Sequence, residues 1–236
     1  MNRPYVRYLM TVSIDQKVTG RFLEHAAAYT EEYYRMHRQY RHDGAQAFLC
    51  GRATMQSSFA GNGAPDVSAH AKEIWNREDY KAGDYAFYAI SMDTHGSVAW
   101  KTNTIFDDDP GYDNCHIIEI LSEDVTDTYI GYLRERNISY IFAGKDRIDI
   151  HMALEKLYAL FGIEDLLLEG GGIIGGAFEE AGMIDELAFV VSPLIEGENG
   201  RDVFAGMYKE DAVSFWKTVE LRPFEGGYVW RAVRNG

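Results

Sequence analysis

From Tyr5 to Ile14 the chain alternates, with Val6, Tyr8, Met10, Val12 and Ile14 on one side and Arg7, Leu9, Thr11 and Ser13 on the other. A period of two is that of a β-strand, and Asp15-Gln16-Lys17 closes it as a polar turn. From about His25 to Arg41, Ala28, Tyr29, Glu32, Tyr33 and Met36 suit a helix that is polar over much of its circumference. Ala45 to Cys50 is a short apolar strand broken at Gly51. Residues 56 to 84 are the least regular stretch: Gly61-Asn62-Gly63-Ala64-Pro65 marks a loop, and Ser68 to Trp75 reads as a helix. Tyr85 to Ser91 is a strand that turns at Asp93-Thr94-His95-Gly96, and His116 to Leu121 is another.

The second half is more regular. Thr126 opens a helix that runs to Arg136 and closes at Asn137, and Tyr140 to Ala143 follows as a strand. Ile150, Ala153, Leu154, Leu157, Tyr158 and Phe161 recur at helical spacing before a left-handed stop at Gly162. Leu166-Leu167-Leu168 is a fully buried strand, Ile173 to Ala181 a helix ending at Gly182, and Leu187 to Val191 the next strand. Strand, helix, strand, helix, strand over 140 to 191 implies parallel pairing through right-handed crossovers. Val213 to Glu220 and Tyr228 to Val233, separated by Pro223 to Gly227, form an antiparallel hairpin. The expected class is α/β, with a mixed, mostly parallel central sheet and a C-terminal antiparallel hairpin. No Pro-, Gly- or Ser-rich linker divides the chain, so residues 1–236 are expected to form a single domain.

Composition removes several function classes. The 236 residues, 46% hydrophobic and 14% aromatic, suffice for a core without disulfides or metals. Lys and Arg number 23 against 37 Asp and Glu, a net charge of −14, so a broad nucleic-acid or anionic membrane surface is not expected. The two cysteines, Cys50 and Cys115, sit in apolar runs at no zinc or redox spacing, and the seven histidines show no metal-ligand pair. No metal is expected. Without a signal-peptide core or a run of ~18 apolar residues, the chain is expected to be soluble and cytoplasmic.

Two motifs carry chemistry. Glu169-Gly170-Gly171-Gly172-Ile173-Ile174-Gly175-Gly176 joins a buried strand to a helix, where backbone amides at a helix start suit a phosphate. The competing account is that the glycines serve only close helix-on-sheet packing. No acid ends the following strand to hold a ribose, which argues against a Rossmann fingerprint. Gly51-Arg52-Ala53-Thr54 follows a strand and offers a guanidinium with a hydroxyl that caps the next helix, a pairing suited to a phosphate monoester. Together they suggest a dinucleotide phosphorylated at the ribose.

Ser13-Ile14-Asp15-Gln16-Lys17, Gly51-Arg52-Ala53-Thr54, Leu168-Glu169-Gly170-Gly171-Gly172, Gly182-Met183-Ile184-Asp185-Glu186-Leu187 and Ser192-Pro193 together resemble the riboflavin-biosynthesis reductase family, over residues 4 to about 197. This is the reductase half of the bifunctional deaminase-reductase. The resemblance implies a dihydrofolate-reductase-like three-layer fold, NADPH as hydride donor, and a reaction that converts the ribosyl group of a phosphorylated aminopyrimidine to a ribityl chain. It implies that Gly51, Arg52 and Thr54 take the adenosine 2′-phosphate side, and that Glu169 with Gly170 to Ile174 lines the pyrophosphate. Ser13, Asp15 and Lys17 would face nicotinamide and substrate, with Asp15 as acid or substrate anchor, and a homodimer would form through the hairpin. Asp15 as a turn residue bonding its own backbone stays open beside these roles.

The chain also departs from the pattern. Gln16 stands where the family usually has glycine, and Met55 to Gly63 replaces an Asn-Pro segment with an arginine for the substrate phosphate. No zinc-deaminase signature occurs. A pterin or dihydrofolate-like reductase, another small-molecule NADPH reductase, and a non-catalytic NADPH-binding module therefore remain alternatives.

Overall fold

The computed structural model describes residues 2–61, 63–207 and 213–235; Asn62, inside the expected Gly61 to Pro65 loop, lies outside them. Strands and helices follow in the order β1 (Tyr5–Ser13), α1 (Ala27–His42), β2 (Ala47–Gly51), α2 (Arg52–Met55), β3 (Tyr88–Met92), β4 (Thr104–Ile105), β5 (Cys115–Leu121), α3 (Asp127–Glu135), β6 (Ser139–Phe142), α4 (Ile150–Phe161), β7 (Asp165–Leu168), α5 (Gly172–Glu180), β8 (Glu186–Ser192), β9 (Trp216–Phe224) and β10 (Gly227–Arg234). They group into two compact units. One is built from Gln46–Glu164 and the residues up to Pro4, the other from Tyr5–Ala45 and the residues from Asp165 onward. The class is α/β, with mixed, mostly parallel pairing.

In the first unit β2, β3, β5 and β6 run parallel, Gly51 level with Met92, Met92 with Ile120, and Leu121 with Phe142. Short β4 adds antiparallel to β5. Every residue of β5 is buried, as parallel strands covered on both faces require. Phe48 packs edge-on to Tyr112 at 5.1 Å and stacks on Phe87 at 6.3 Å. The Thr126 hydroxyl accepts the Tyr129 amide to start α3, and Asp149 does the same for Met152 at α4, caps worth about 1 kcal/mol each. Gly162 ends α4 at φ 67°.

The helix expected over Ser68 to Trp75 shrinks to one 3₁₀ turn, Ser68–His70. Its residues spend their polar groups elsewhere. Asp66 accepts the Ser68 amide and hydroxyl, and the Arg77 side chain just beyond the segment takes the Trp75 carbonyl together with the Glu123 and Val125 carbonyls, contacts that compete with helix propagation.

In the second unit β7, β1 and β8 run parallel with β1 in the middle, and β10 and β9 extend the β8 side as an antiparallel hairpin. The alternation along β1 sorts two covered faces. Tyr8 points to α5, while Thr11 bonds the Tyr29 carbonyl of α1 and Leu9 joins Phe22, Tyr29, Met36, Val190 and Val229 in one cluster. The crossover from β7 through α5 steps over β1, so β7 and β8 are both its parallel neighbours and do not pair with each other, while β6 pairs with β5. Pro223 lies within β9 opposite Tyr228, which reduces the hairpin turn to Glu225 and Gly226, at φ 48° and 83°.

Candidate active site

β1 and β8 leave the sheet side by side, Ser13 level with Ser192, so the segments that follow them emerge at the same carboxyl edge, where open parallel sheets bind ligands. Ser13 is buried, and its hydroxyl donates to Asp15 Oδ1 at 2.6 Å while accepting the Lys17 amide at 2.9 Å. Asp15 also accepts the amides of Glu196 at 3.2 Å and Gly197 at 2.8 Å. The Ser13 hydroxyl, and after it these amides, hold the Asp15 carboxyl down at about 2, so it is a carboxylate at neutral pH. It is also partly exposed. Gln16 turns at φ 62°, the left-handed conformation that glycine accepts freely and that costs another residue about 1 kcal/mol. Lys17 Nζ lies 2.5 Å from Asp202 Oδ1, which raises the ammonium pKa and keeps it charged.

The glycine run after β7 divides by function. A Cβ on Gly172 would stand 1.8 Å from the Asp202 carbonyl oxygen, one on Gly175 2.2 Å from the Tyr8 hydroxyl, and one on Gly176 2.2 Å from the Ala205 carbonyl oxygen. Those glycines are required for packing. Gly171 is different: it caps α5 in extended backbone at φ −66°, has no side chain to satisfy the first-turn amides, and a Cβ there would meet nothing within 4 Å. The Ile174 amide is taken by the Gly171 carbonyl at 3.0 Å, and the amides ahead of it in the first turn, which have no acceptor within the helix and carry the positive end of its dipole, make this opening fit an anion. Gly170 is buried, Ile173 exposed and Ile174 half-buried. Glu169 turns inward, and its Oε1 lies 2.6 Å from Nδ1 of the buried His37 on α1.

Within this unit the candidate residues connect through Asp202: its carbonyl packs on Gly172, and its carboxylate holds Lys17, whose amide bonds Ser13, the donor to Asp15. Arg52 and Thr54 belong to the other unit. Arg52 is exposed and makes no ion pair among the described residues. Thr54 does not cap a helix. Gly51 occupies the cap of α2, Thr54 lies one turn inside it, and its carbonyl accepts the Ser57 hydroxyl at 3.3 Å.

A model of the RibD C-terminal domain matches residues 4–229. The chain belongs to the RibD C-terminal domain family. A 2,5-diamino-6-ribosylamino-4(3H)-pyrimidinone 5′-phosphate reductase of Methanothermobacter thermautotrophicus is 37% identical over 82 residues, a stretch that covers 35% of this chain and 36% of that relative. Among solved structures, RibD of Acinetobacter baumannii superposes with a TM-score of 0.64 at 14% identity, covering 100% of this chain and 59% of the other. The Saccharomyces cerevisiae riboflavin biosynthesis reductase Rib7 gives 0.62 at 16% identity, covering 100% and 91%. A pyrimidine reductase-like protein of Corynebacterium diphtheriae gives 0.63 at 14%, covering 100% and 93%. At such identities these three establish a shared fold.

The opening at Gly171 is the place in the glycine run where a ligand could approach the backbone without meeting packed atoms. Asp202, Glu196, Gly197 and His37 belong to the site and escape a reading by motif. Three of them lie on the segment after β8, remote in sequence from Asp15, and His37 carried only one signal, a histidine next to Met36 on the apolar side of α1.

Proposed function

We propose that the chain is an NADPH-dependent reductase of riboflavin biosynthesis that converts the ribosyl group of a phosphorylated aminopyrimidine to a ribityl chain. It acts as a cytoplasmic reductase and as a homodimer. The observation that carries this reading is the open α5 start behind Gly171 in the same unit as the ionised Asp15. The substrate class comes from the Methanothermobacter relative, a ribosylaminopyrimidinone phosphate reductase.

When bound, the nicotinamide would supply a hydride. Gly170 to Ile174 would line its pyrophosphate, with the amides ahead of Ile174 as donors because the Ile174 amide is taken by the Gly171 carbonyl, and Gly51, Arg52 and Thr54 would take the adenosine 2′-phosphate. The reaction forms one C–H bond at the anomeric carbon, breaks the ring C–O bond there and places a proton on the freed oxygen. A carboxyl held at about 2 has no proton to give near neutrality, so Asp15 serves as the anion that receives substrate hydroxyl or amino groups. Ser13 acts by fixing Asp15, Lys17 lines the same edge, and Glu169 holds the turn from within.

The hairpin supports the dimer. β9 is an edge strand with Val219 and Leu221 exposed, beside an apolar cleft of about 1040 Å³ lined by Phe189, Phe204, Trp216 and Trp230. A second copy of the chain is its occupant.

The test is NADPH oxidation by the purified chain with phosphorylated ribosylaminopyrimidines, dihydropterins and simple carbonyl compounds, alongside NADPH calorimetry. Oxidation with the aminopyrimidine alone is expected. Oxidation only with a pterin would move the chain to that substrate class, and binding without oxidation across the panel would make it a cofactor-binding module.

A further inference from the structure

We propose that His37 is a positioning residue for the glycine-rich turn, holding the Glu169 carboxylate from inside α1 so that the amides behind it are already aimed; this rests on reading that turn as the cofactor's phosphate site. The sequence Glu169-Gly170-Gly171-Gly172 leaves one side chain between Leu168 and Ile173 able to fix the path of the chain. Glycine has the largest conformational freedom to lose, so a turn of three needs an anchor if its amides are to stand ready for a ligand.

The anchor is a buried polar pair. The His37 and Glu169 side chains are 0% and 1% exposed, and His37 Nδ1 stands 2.6 Å from Glu169 Oε1. His37 cannot drift, because its neighbour Met36 packs with Leu9, Tyr29, Val190 and Val229. The other inward carboxylate of the helix, Glu32, is taken by Arg35 and Arg222 and does not compete. Gly171 lies two residues beyond Glu169 with open space at its Cβ position, so a shift of the Glu169 carboxylate passes to the α5 amides with no side chain to absorb it. Removing the Nδ1 partner would take a hydrogen bond from a buried carboxyl group, which costs more than losing an exposed one.

The experiment measures NADPH binding by calorimetry, and thermal unfolding of the same preparations, for wild type, His37→Asn, His37→Gln and His37→Ala. An asparagine amide nitrogen replaces Nδ1, whereas a glutamine amide reaches towards the Nε2 position. His37→Ala and His37→Gln are expected to weaken NADPH about tenfold or more, and His37→Asn to restore near wild-type affinity. In turnover the loss falls on KM for NADPH more than on kcat. Should His37→Ala not fold, the contrast between the asparagine and glutamine variants decides. Equal NADPH affinity in every folded variant, whatever happens to the unfolding midpoint, would overturn the role and leave His37 purely structural. Wild type that binds no NADPH would overturn the cofactor reading, and this role with it.

Discussion

The Ser13 hydroxyl donates to Asp15 across 2.6 Å, and the same oxygen receives the Lys17 amide at 2.9 Å, so one buried oxygen sets both the charge of Asp15 and the shape of the turn that presents it. With the Glu196 and Gly197 amides on the other side, Asp15 joins the segments that follow β1 and β8.

Asp15→Asn should leave NADPH affinity unchanged and lower kcat/KM for the aminopyrimidine about tenfold or more. Because the carboxyl titrates at about 2, the rate should show no inflection from Asp15 near neutrality. Its folded pKa lies below the ordinary 3.8, so its contribution to stability is complete above 3.8 and is lost as pH falls through about 2. Wild-type turnover in the variant would remove Asp15 from the chemistry.

Adjacent glycines should separate packing from binding. Gly172→Ala forces a Cβ to 1.8 Å from a carbonyl oxygen and should cost about 1–3 kcal/mol in chemical denaturation. Gly171→Ala, with open space and an ordinary φ of −66°, should unfold like wild type but bind NADPH more weakly, since the new methyl stands where a phosphate approaches the amides. Unchanged affinity in Gly171→Ala would leave the run with packing alone.

Arg52 is exposed, without an ion pair among the described residues, so its guanidinium is available to a ligand. Arg52→Ala should reduce NADPH affinity about tenfold or more while leaving NADH nearly untouched, since only NADPH carries the extra phosphate. Equal losses for both cofactors, measured by calorimetry, would exclude a 2′-phosphate role.

β5 carries two oppositely perturbed groups. Burial pushes the His116 imidazole down to about 4, and burial, followed by the nearby Asp93 charge, pushes the Glu119 carboxyl well above its usual range. A buried neutral histidine stabilises the fold above its unfolded pKa of 6.5, and that stability drains away as pH falls towards about 4. A buried neutral carboxyl does the reverse: its stabilisation is full below 4.5 and is lost as pH rises through the elevated pKa. Unfolding midpoints across pH should fall on both sides of an optimum, and His116→Gln, which can keep the bond to Ser139, should flatten the acid side.

If the hairpin pairs two copies, Leu221→Glu on exposed β9 should yield monomers in light scattering without loss of unfolding cooperativity. A monomeric wild type at micromolar concentration would exclude the dimer.

Local patterning determined most of the elements. Thr126 and Asp149 cap helices by their own side chains, Gly162 ends one by its own conformation, and the leucines of β7 announce a strand covered on both faces. The glycine run likewise announced a close approach of backbone to something. Only the tertiary structure decided to what: Asp202 and Ala205 lie against Gly172 and Gly176, while the space beside Gly171 stays open. The same holds for charge and register. Asp15 owes its low pKa first to the Ser13 hydroxyl two residues away and then to amides some 180 residues away, Glu169 turns inward to a histidine 132 positions earlier, and β7 and β8 pair with β1 between them and not with each other. Caps, turns and hydrophobic periods depend on neighbours in sequence and can be read there. Hydrogen-bond partners, burial and desolvation depend on neighbours in space, and those exist only once the chain has folded.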